Sequence, residues 1–590
     1  MGLRSIHARS CHPARAALAR GLAAVILFVG GCAPSQWVTV RDTPRNPLAG
    51  TLDLVSPGGP KPTPRTQQLV RRYNLPTGMG SDRAELLAQF AEIQRREPNR
   101  EHEYAMAELA YIAAAQAEKL NREKALEFYG TSLIHAYRYL FDYEGELPLN
   151  PYDPQFRGAS DLYNQSLESL LRIVLREGEL RPGAQGTIVT ANHECSFDVV
   201  VHSSGWRDSD VDRFEFVNDY KVNGLKNHYH TYGLGVPLIA VRKHAETTNP
   251  AERFYPPNVC FPVTAFLRVE RAQEELRKHG TGAGAESGGA VGAASAAGRD
   301  SAAAPHFVLE LYDTLDRQAV DVAGRSVPLE ADLSTPLAYF LSQPQFQDAE
   351  LSTLGLLKPG EARELQGLYM LEPFDPDKMP VVMVHGLWSS PITWMEMYND
   401  LRSDPAVRAN YQFWFYFYPT GQPFWFSAAQ MREDLASMRR EVDPAREHPA
   451  LDQTVLVGHS MGGLVSKLQS VESEDDFWHT MSDRSFRELD ADDETVRSLA
   501  GTYYFRPSPS VRRVVTLGTP HRGSPFSNGL TRWLGHKLIS LPSKMLHGRD
   551  ELIARNRDYF RDNAPLNIRT SIDSLSPNSP VLPVLLSARP

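Results

Sequence analysis

Between residues 99 and 142 the apolar positions recur at helical spacing, the pattern that gives a helix one buried face. EYAMAELAYIAAAQAEKL and REKALEFYGTSLIHAYRYLF both carry it. In the second, Leu126, Phe128, Tyr129, Leu133, Ala136, Tyr137 and Leu140 make one broad face, and Asn121 stands where a cap would start the helix. A third helical stretch, DLYNQSLESLLRIVLRE, follows at 161 to 177 and completes a helical module over 99–182. From 183 to 345 the pattern changes to short β-type runs split by turn residues: GTIVTA, RFEFV, PLIAVR, VTAFLRV and HFVLELYDTL. These predict a small antiparallel β domain. It is interrupted at 280–305 by a Gly/Ala/Ser stretch expected to be a disordered insertion.

After a linker at 346–378, strand-length apolar runs alternate with helical stretches over 379–590. PVVMVH at 380–385 is a buried strand pattern, and ITWMEMYNDLRS, with Pro391 in its first turn, is a helix. YQFWFYFYP (411–419), SAAQMREDLASMRREV (427–442), TVLVG (454–458), a helix from Gly462, and VRRVVTLG (511–518) continue the alternation. Strand, helix, strand with short joints predicts an α/β fold with a parallel sheet flanked by helices.

Composition adds little to this and the ends add more. A net charge of -9 over 590 residues argues against nucleic acid as the main partner, which would call for a basic patch or stripe. Residues 1–31 carry Arg4, Arg9, Arg15 and Arg20, then the apolar LAAVILFV at 22–29, too short for a bilayer span but suited to a signal peptide. Val29-Gly30-Gly31-Cys32 resembles a bacterial lipobox, which implies lipidation at Cys32. Ala33 after the cysteine leans, by the same resemblance, to the outer membrane of a Gram-negative envelope. Several acyl chains on one cysteine anchor a chain stably. The proline- and arginine-rich stretch 32–98 is expected to be a tether with one helix near 82–95. Cys195 and Cys260 remain as a pair that an exported protein can oxidise. His228 and His230 share a strand face at period two; such pairs are far more often packing residues than ligands, and no metal or cofactor is expected. The helical pair at 99–142 resembles one tetratricopeptide-type hairpin, so a protein partner for the N-terminal region stays open.

Gly458-His459-Ser460-Met461-Gly462 matches G-x-S-x-G between a strand and a helix. That turn lifts a serine above the carboxyl ends of the strands, and its glycines make room for neighbouring backbone. The Met461 N–H, at the helix start, and the Leu387 N–H, in the loop after PVVMVH, are the candidate oxyanion donors. His385 belongs to that loop, and the His459 side chain should point away from the serine. Phe424, Trp425 and Phe426, past the end of an aromatic strand, are candidates for an acyl pocket. The acidic stretch 472–494 is either a lid or a solvated loop.

MPVVMVHGLWSSPITW, VLVGHSMGGLVSKL and VVTLGTPHRGS together resemble the lipase and esterase branch of the α/β-hydrolase superfamily, which includes deacylases related to those acting on glycosylphosphatidylinositol. The resemblance covers about 370–586. It implies hydrolysis of an ester or lipid through an acyl-enzyme on Ser460, and marks His521 as a structural residue. It also implies an acid after a later strand and a histidine after the last one. Neither is found in that place. VRRVVTLG is the last clear strand, and His536 and His547 lie in a helical stretch beyond it. Three explanations stand: missing final strands, recruitment of His536 or His547, or a hydrolase-like scaffold without turnover. A non-catalytic envelope lipoprotein and a peptidase or amidase on the same fold are the rival functions.

Overall fold

The computed structural model describes residues 36–589 apart from 58, 76–82, 143–148, 178–182, 184, 190–193, 244–248, 270–306, 345–365, 525–550 and 569. Cys32, the Gly/Ala/Ser stretch, His536 and His547 therefore lie outside the described residues.

Helices Arg100–Ala117 and Arg122–Phe141 pack side by side. Each starts on an asparagine: Asn99 Oδ1 accepts the Glu101 N–H at 2.8 Å and Asn121 Oδ1 accepts the Lys124 N–H at 3.0 Å. The third helix begins earlier than its periodicity predicted, at Pro154, a residue suited to a first helical turn. The expected tether is a folded element over its described part. Val38–Val40 pairs antiparallel with Tyr220–Val222. Helices Pro64–Arg72 and Arg83–Arg96 bury Leu69, Val70, Leu86, Leu87 and Phe90. Its prolines misled because Pro64 starts a helix, where its fixed φ fits, and does not break one.

The β region is a six-stranded sheet in the order Gln185–Val189, Glu194–His202, Phe307–Asp313, Cys260–Val269, Val236–Arg242, Val211–Phe216. It is mixed, not antiparallel throughout: Glu194–His202 and Phe307–Asp313 run parallel. Those two strands are joined by a long crossover and not a hairpin, which is what a parallel neighbour requires. Cys260 is a free, buried thiol that donates to the Asn258 carbonyl at 3.3 Å. Its strand is separated from that of Cys195 by Phe307–Asp313.

The second sheet has five strands: β1 (Gly367–Met370), β2 (Met379–Val384), β3 (Tyr411–Phe417), β4 (Thr454–His459) and β5 (Val511–Leu517). Their order is β1-β3-β2-β4-β5. All neighbours run parallel except β1, which is antiparallel to β3. β1 falls inside the expected linker 346–378; its four residues, with only Leu368 and Met370 buried, are too few to give a period. Helices α1 (Met395–Ser403), α2 (Phe424–Val442) and α3 (Met461–Lys467) follow β2, β3 and β4. β2 and β3 are almost wholly buried. Among the described strands β5 is an edge, with Val515 36% and Leu517 39% exposed.

The two sheets share one continuous hydrophobic core. Helix α1 is fixed to the first sheet's side of the molecule by buried polar contacts. Asn399 accepts from the Ser334 hydroxyl at 2.9 Å and donates to the Asn227 carbonyl at 3.0 Å. Arg402 donates to the Leu333 carbonyl.

Candidate active site

β4 ends at His459, and α3 begins at Met461. Between them Ser460 has φ 52° and ψ -123°, a backbone conformation that L-residues rarely adopt. The turn is that sharp because α3 starts against the end of β2. A Cβ on Gly462 would lie 2.3 Å from the His385 carbonyl oxygen, and one on Gly458 would lie 2.5 Å from that of Gly462. Only glycine fits at either position. The Ser460 N–H donates to the Leu517 carbonyl at 2.9 Å, which ties the turn to β5. The residue is half-buried, and among the described residues its hydroxyl has no hydrogen-bond partner.

The loop after β2 lies on this turn. A Cβ on Gly386 would stand 3.0 Å from the Ser460 Cβ and 3.0 Å from His459 Nδ1. His385 is fully buried, stacked on Tyr418 at 4.5 Å between ring centroids. Its Nδ1 faces the Gly386 carbonyl at 3.0 Å, and Nε2 accepts the Tyr418 N–H at 3.4 Å. Both ring nitrogens are thus engaged, and burial lowers its pKa to about 4. His385 is a neutral spacer that shapes the loop. Leu387 follows, half-buried. Trp388 has φ 55° and is 55% exposed. The Met461 N–H is at the first position of α3, where a helix supplies no acceptor.

The other described histidines do not complete the site. His459 is exposed, with its ring edge-on to Trp394 at 6.5 Å between centroids. His521 Nε2 faces the Thr516 hydroxyl at 3.4 Å, and burial, then the charge of Lys467, lower its pKa. His479 is exposed at the end of the short helix Asp476–His479. Among the described residues no histidine or carboxylate hydrogen-bonds Ser460.

The aromatic and acidic stretches resolve differently from expectation. Phe424 and Trp425 open α2 as core residues, packed edge-on at 5.1 Å. Of the three suggested pocket rings, Phe426 alone is half-buried rather than buried. The acidic stretch is neither an open loop nor a detached lid. Phe477 and Trp478 are buried, and Trp478 packs among Phe486, Tyr503, Tyr504 and Tyr559. The contact that sequence reasoning missed is made by Ser571–Ser574, here α4, in a stretch that resemblance marks as helical; its Ile572 packs on Leu387. Its sequence carries no motif; only contact shows its place.

No family model matches the chain, and no curated protein matches it. Among solved structures, the chain is similar in part to the Bacillus licheniformis lipase BlEst2 in its propeptide form, at 21% identity and a TM-score of 0.18, over 35% of this chain and 32% of that one. For the mature form the figures are 23%, 0.18, 34% of this chain and 67% of that chain. The match thus spans about a third of the propeptide-form lipase.

His228 and His230 lie apart from Ser460 in sequence and flank a buried carboxylate, His228 exposed at the surface and His230 half-buried. His228 Nε2 is 2.6 Å from Asp332 Oδ2, and His230 Nε2 is 3.3 Å from Glu330 Oε1. Among the described residues no group of three or more His, Cys, Asp or Glu side chains is arranged to hold a metal ion.

Proposed function

We propose that the chain is a serine hydrolase of lipase or esterase type, with an α/β-hydrolase sheet, carried on a bacterial envelope by a lipid at Cys32. The observation that carries the catalytic reading is the Ser460 backbone: a left-handed serine between a strand and a helix, with the Gly386 loop against it. A strained non-glycine residue at such a junction costs stability, and a nucleophile is the reason to keep it.

In this reading the Ser460 oxygen attacks the carbonyl carbon of a carboxylic ester. The carbonyl oxygen becomes an oxyanion held by the Leu387 and Met461 N–H groups. Collapse expels the alcohol, which takes the proton that Ser460 gave up, and water then releases the acid from the acyl-enzyme. Leu387, Trp388 and Phe426 offer apolar surface for the acyl chain. A second reading, a non-catalytic scaffold, is favoured by one fact: among the described residues nothing stands ready to take the serine proton.

A fluorophosphonate probe decides between them. The full chain is expected to label, and Ser460→Ala to abolish labelling; equal weak labelling of both sinks the enzyme reading. The anchor has its own test. Incorporation of an alkynyl fatty acid in a bacterial host is expected to vanish in Cys32→Ala, and incorporation that survives the change removes Cys32 as the site.

A further inference from the structure

One short segment ties together loops that follow three different strands of the second sheet. The Ser571 N–H donates to the Gly421 carbonyl at 3.1 Å, in the loop after β3. Ile572, buried, packs on Leu387, in the loop after β2. The Leu575 carbonyl accepts the Ser524 N–H at 2.8 Å, beyond β5. Gly523, at φ 89°, lies so close to Pro577 that a Cβ would come within 2.6 Å of its backbone. Ser460 stands at the end of β4, between β2 and β5. The segment is internally fixed as well: the Thr570 hydroxyl accepts the Asp573 N–H at 3.1 Å and donates to the Asp573 carboxylate at 2.8 Å.

The loop it grips needs holding. Trp388, one residue past Leu387, has φ 55° and leaves over half its surface open, so its own ring does not clamp the loop. Leu387 is held between the main core and Ile572. An oxyanion donor works only within about half an ångström of its productive position. We propose that Thr570–Pro577 is a strap that fixes the loop bearing the Leu387 N–H, with Ile572 as its positioning residue. The strap acts through Leu387 and touches no reacting atom; its catalytic meaning rests on the serine-hydrolase reading above.

The test compares the full chain with Ile572→Ala and Ile572→Val, the second keeping most of the side-chain volume. Hydrogen exchange read by mass spectrometry is expected to speed up several-fold over 385–389 in Ile572→Ala, to return towards the parent rate in Ile572→Val, and to stay unchanged over 454–459. Unchanged exchange over the loop overturns the strap, and so does a uniform rise across the sheet. Fluorophosphonate labelling of Ser460 is expected to slow by roughly tenfold in Ile572→Ala, since small displacements of an oxyanion donor cost that much or more. An unchanged labelling rate overturns the positioning role. If the parent chain labels no better than Ser460→Ala, the hydrolase reading falls, and the exchange result alone still decides whether the strap holds the loop.

Discussion

Ser460 is where backbone energy is most visibly spent. Its left-handed conformation costs about 1–3 kcal/mol in a non-glycine residue. Ser460→Gly is therefore expected to raise stability by about 1 kcal/mol in urea denaturation, whereas Ser460→Ala, with its Cβ retained, should not. A gain in both, or in neither, would mean that the strain is not in the backbone. This turn was legible because G-x-S-x-G encodes steric facts: two positions where no Cβ fits, around a sharp bend. His230 makes a second prediction at this scale. Burial pulls its pKa down, but its contacts with Asp332 and then Glu330 outweigh that and raise it from 6.5 to about 9. The rings of His228 and Tyr232 also face it, at 6.4 and 4.8 Å between centroids. The fold thus favours the protonated form. Its stabilisation is complete below the ordinary value and is lost as pH rises through about 9. Denaturation midpoints between pH 6 and 10 should fall in the parent and fall less in His230→Gln. Parallel pH curves would remove His230 as the cause.

At the level of elements, long periodic runs were legible and short ones were not. The alternation from 379 to 517 gave β2 to β5 and the helices between them, because strand-length β-type runs, buried in β2 and β3 and exposed in β5, alternate with helical stretches. β1 was missed because four residues carry too little pattern, and the helix Pro64–Arg72 was hidden behind a proline that starts it instead of breaking it, whereas Arg83–Arg96 lies where a helix near 82–95 was expected. The parallel pairing inside the first sheet was beyond reach, since periodicity reports a strand and not its neighbour. The strap was illegible for the same reason: Ile572 matters through Leu387, 185 positions earlier in the chain. Helix α1 carries the prediction here. Asn399→Ala removes a buried amide and leaves the Ser334 hydroxyl and the Asn227 carbonyl without it, a cost of about 1–3 kcal/mol. A shift of the urea midpoint below a few tenths of a kcal/mol would show that water replaces the amide freely.

The molecule as a whole departs from the string of modules its composition suggests. Helices, mixed sheet and five-stranded sheet share one apolar core, and the contacts of Asn399 and Arg402 seal it. Unfolding is accordingly expected to be a single cooperative transition, with helical signal and tryptophan fluorescence changing together, and Asn399→Ala should move both by the same amount. Two separated transitions would mean that the sheets fold as independent units. The sequence suggested independent domains because composition changes sharply along the chain, while the surfaces that join its parts are built from single residues scattered across it.

The strained turn has a consequence for natural variation. If folding alone were under selection, position 460 would drift to glycine, the residue its backbone angles prefer. A saturation library of this position, sorted first for yield of folded protein and then for labelling, would separate the two pressures. Glycine should lead the first ranking; on the serine-hydrolase reading proposed above, serine should lead the second, and lineages without that chemistry should be recognisable by the glycine they keep there.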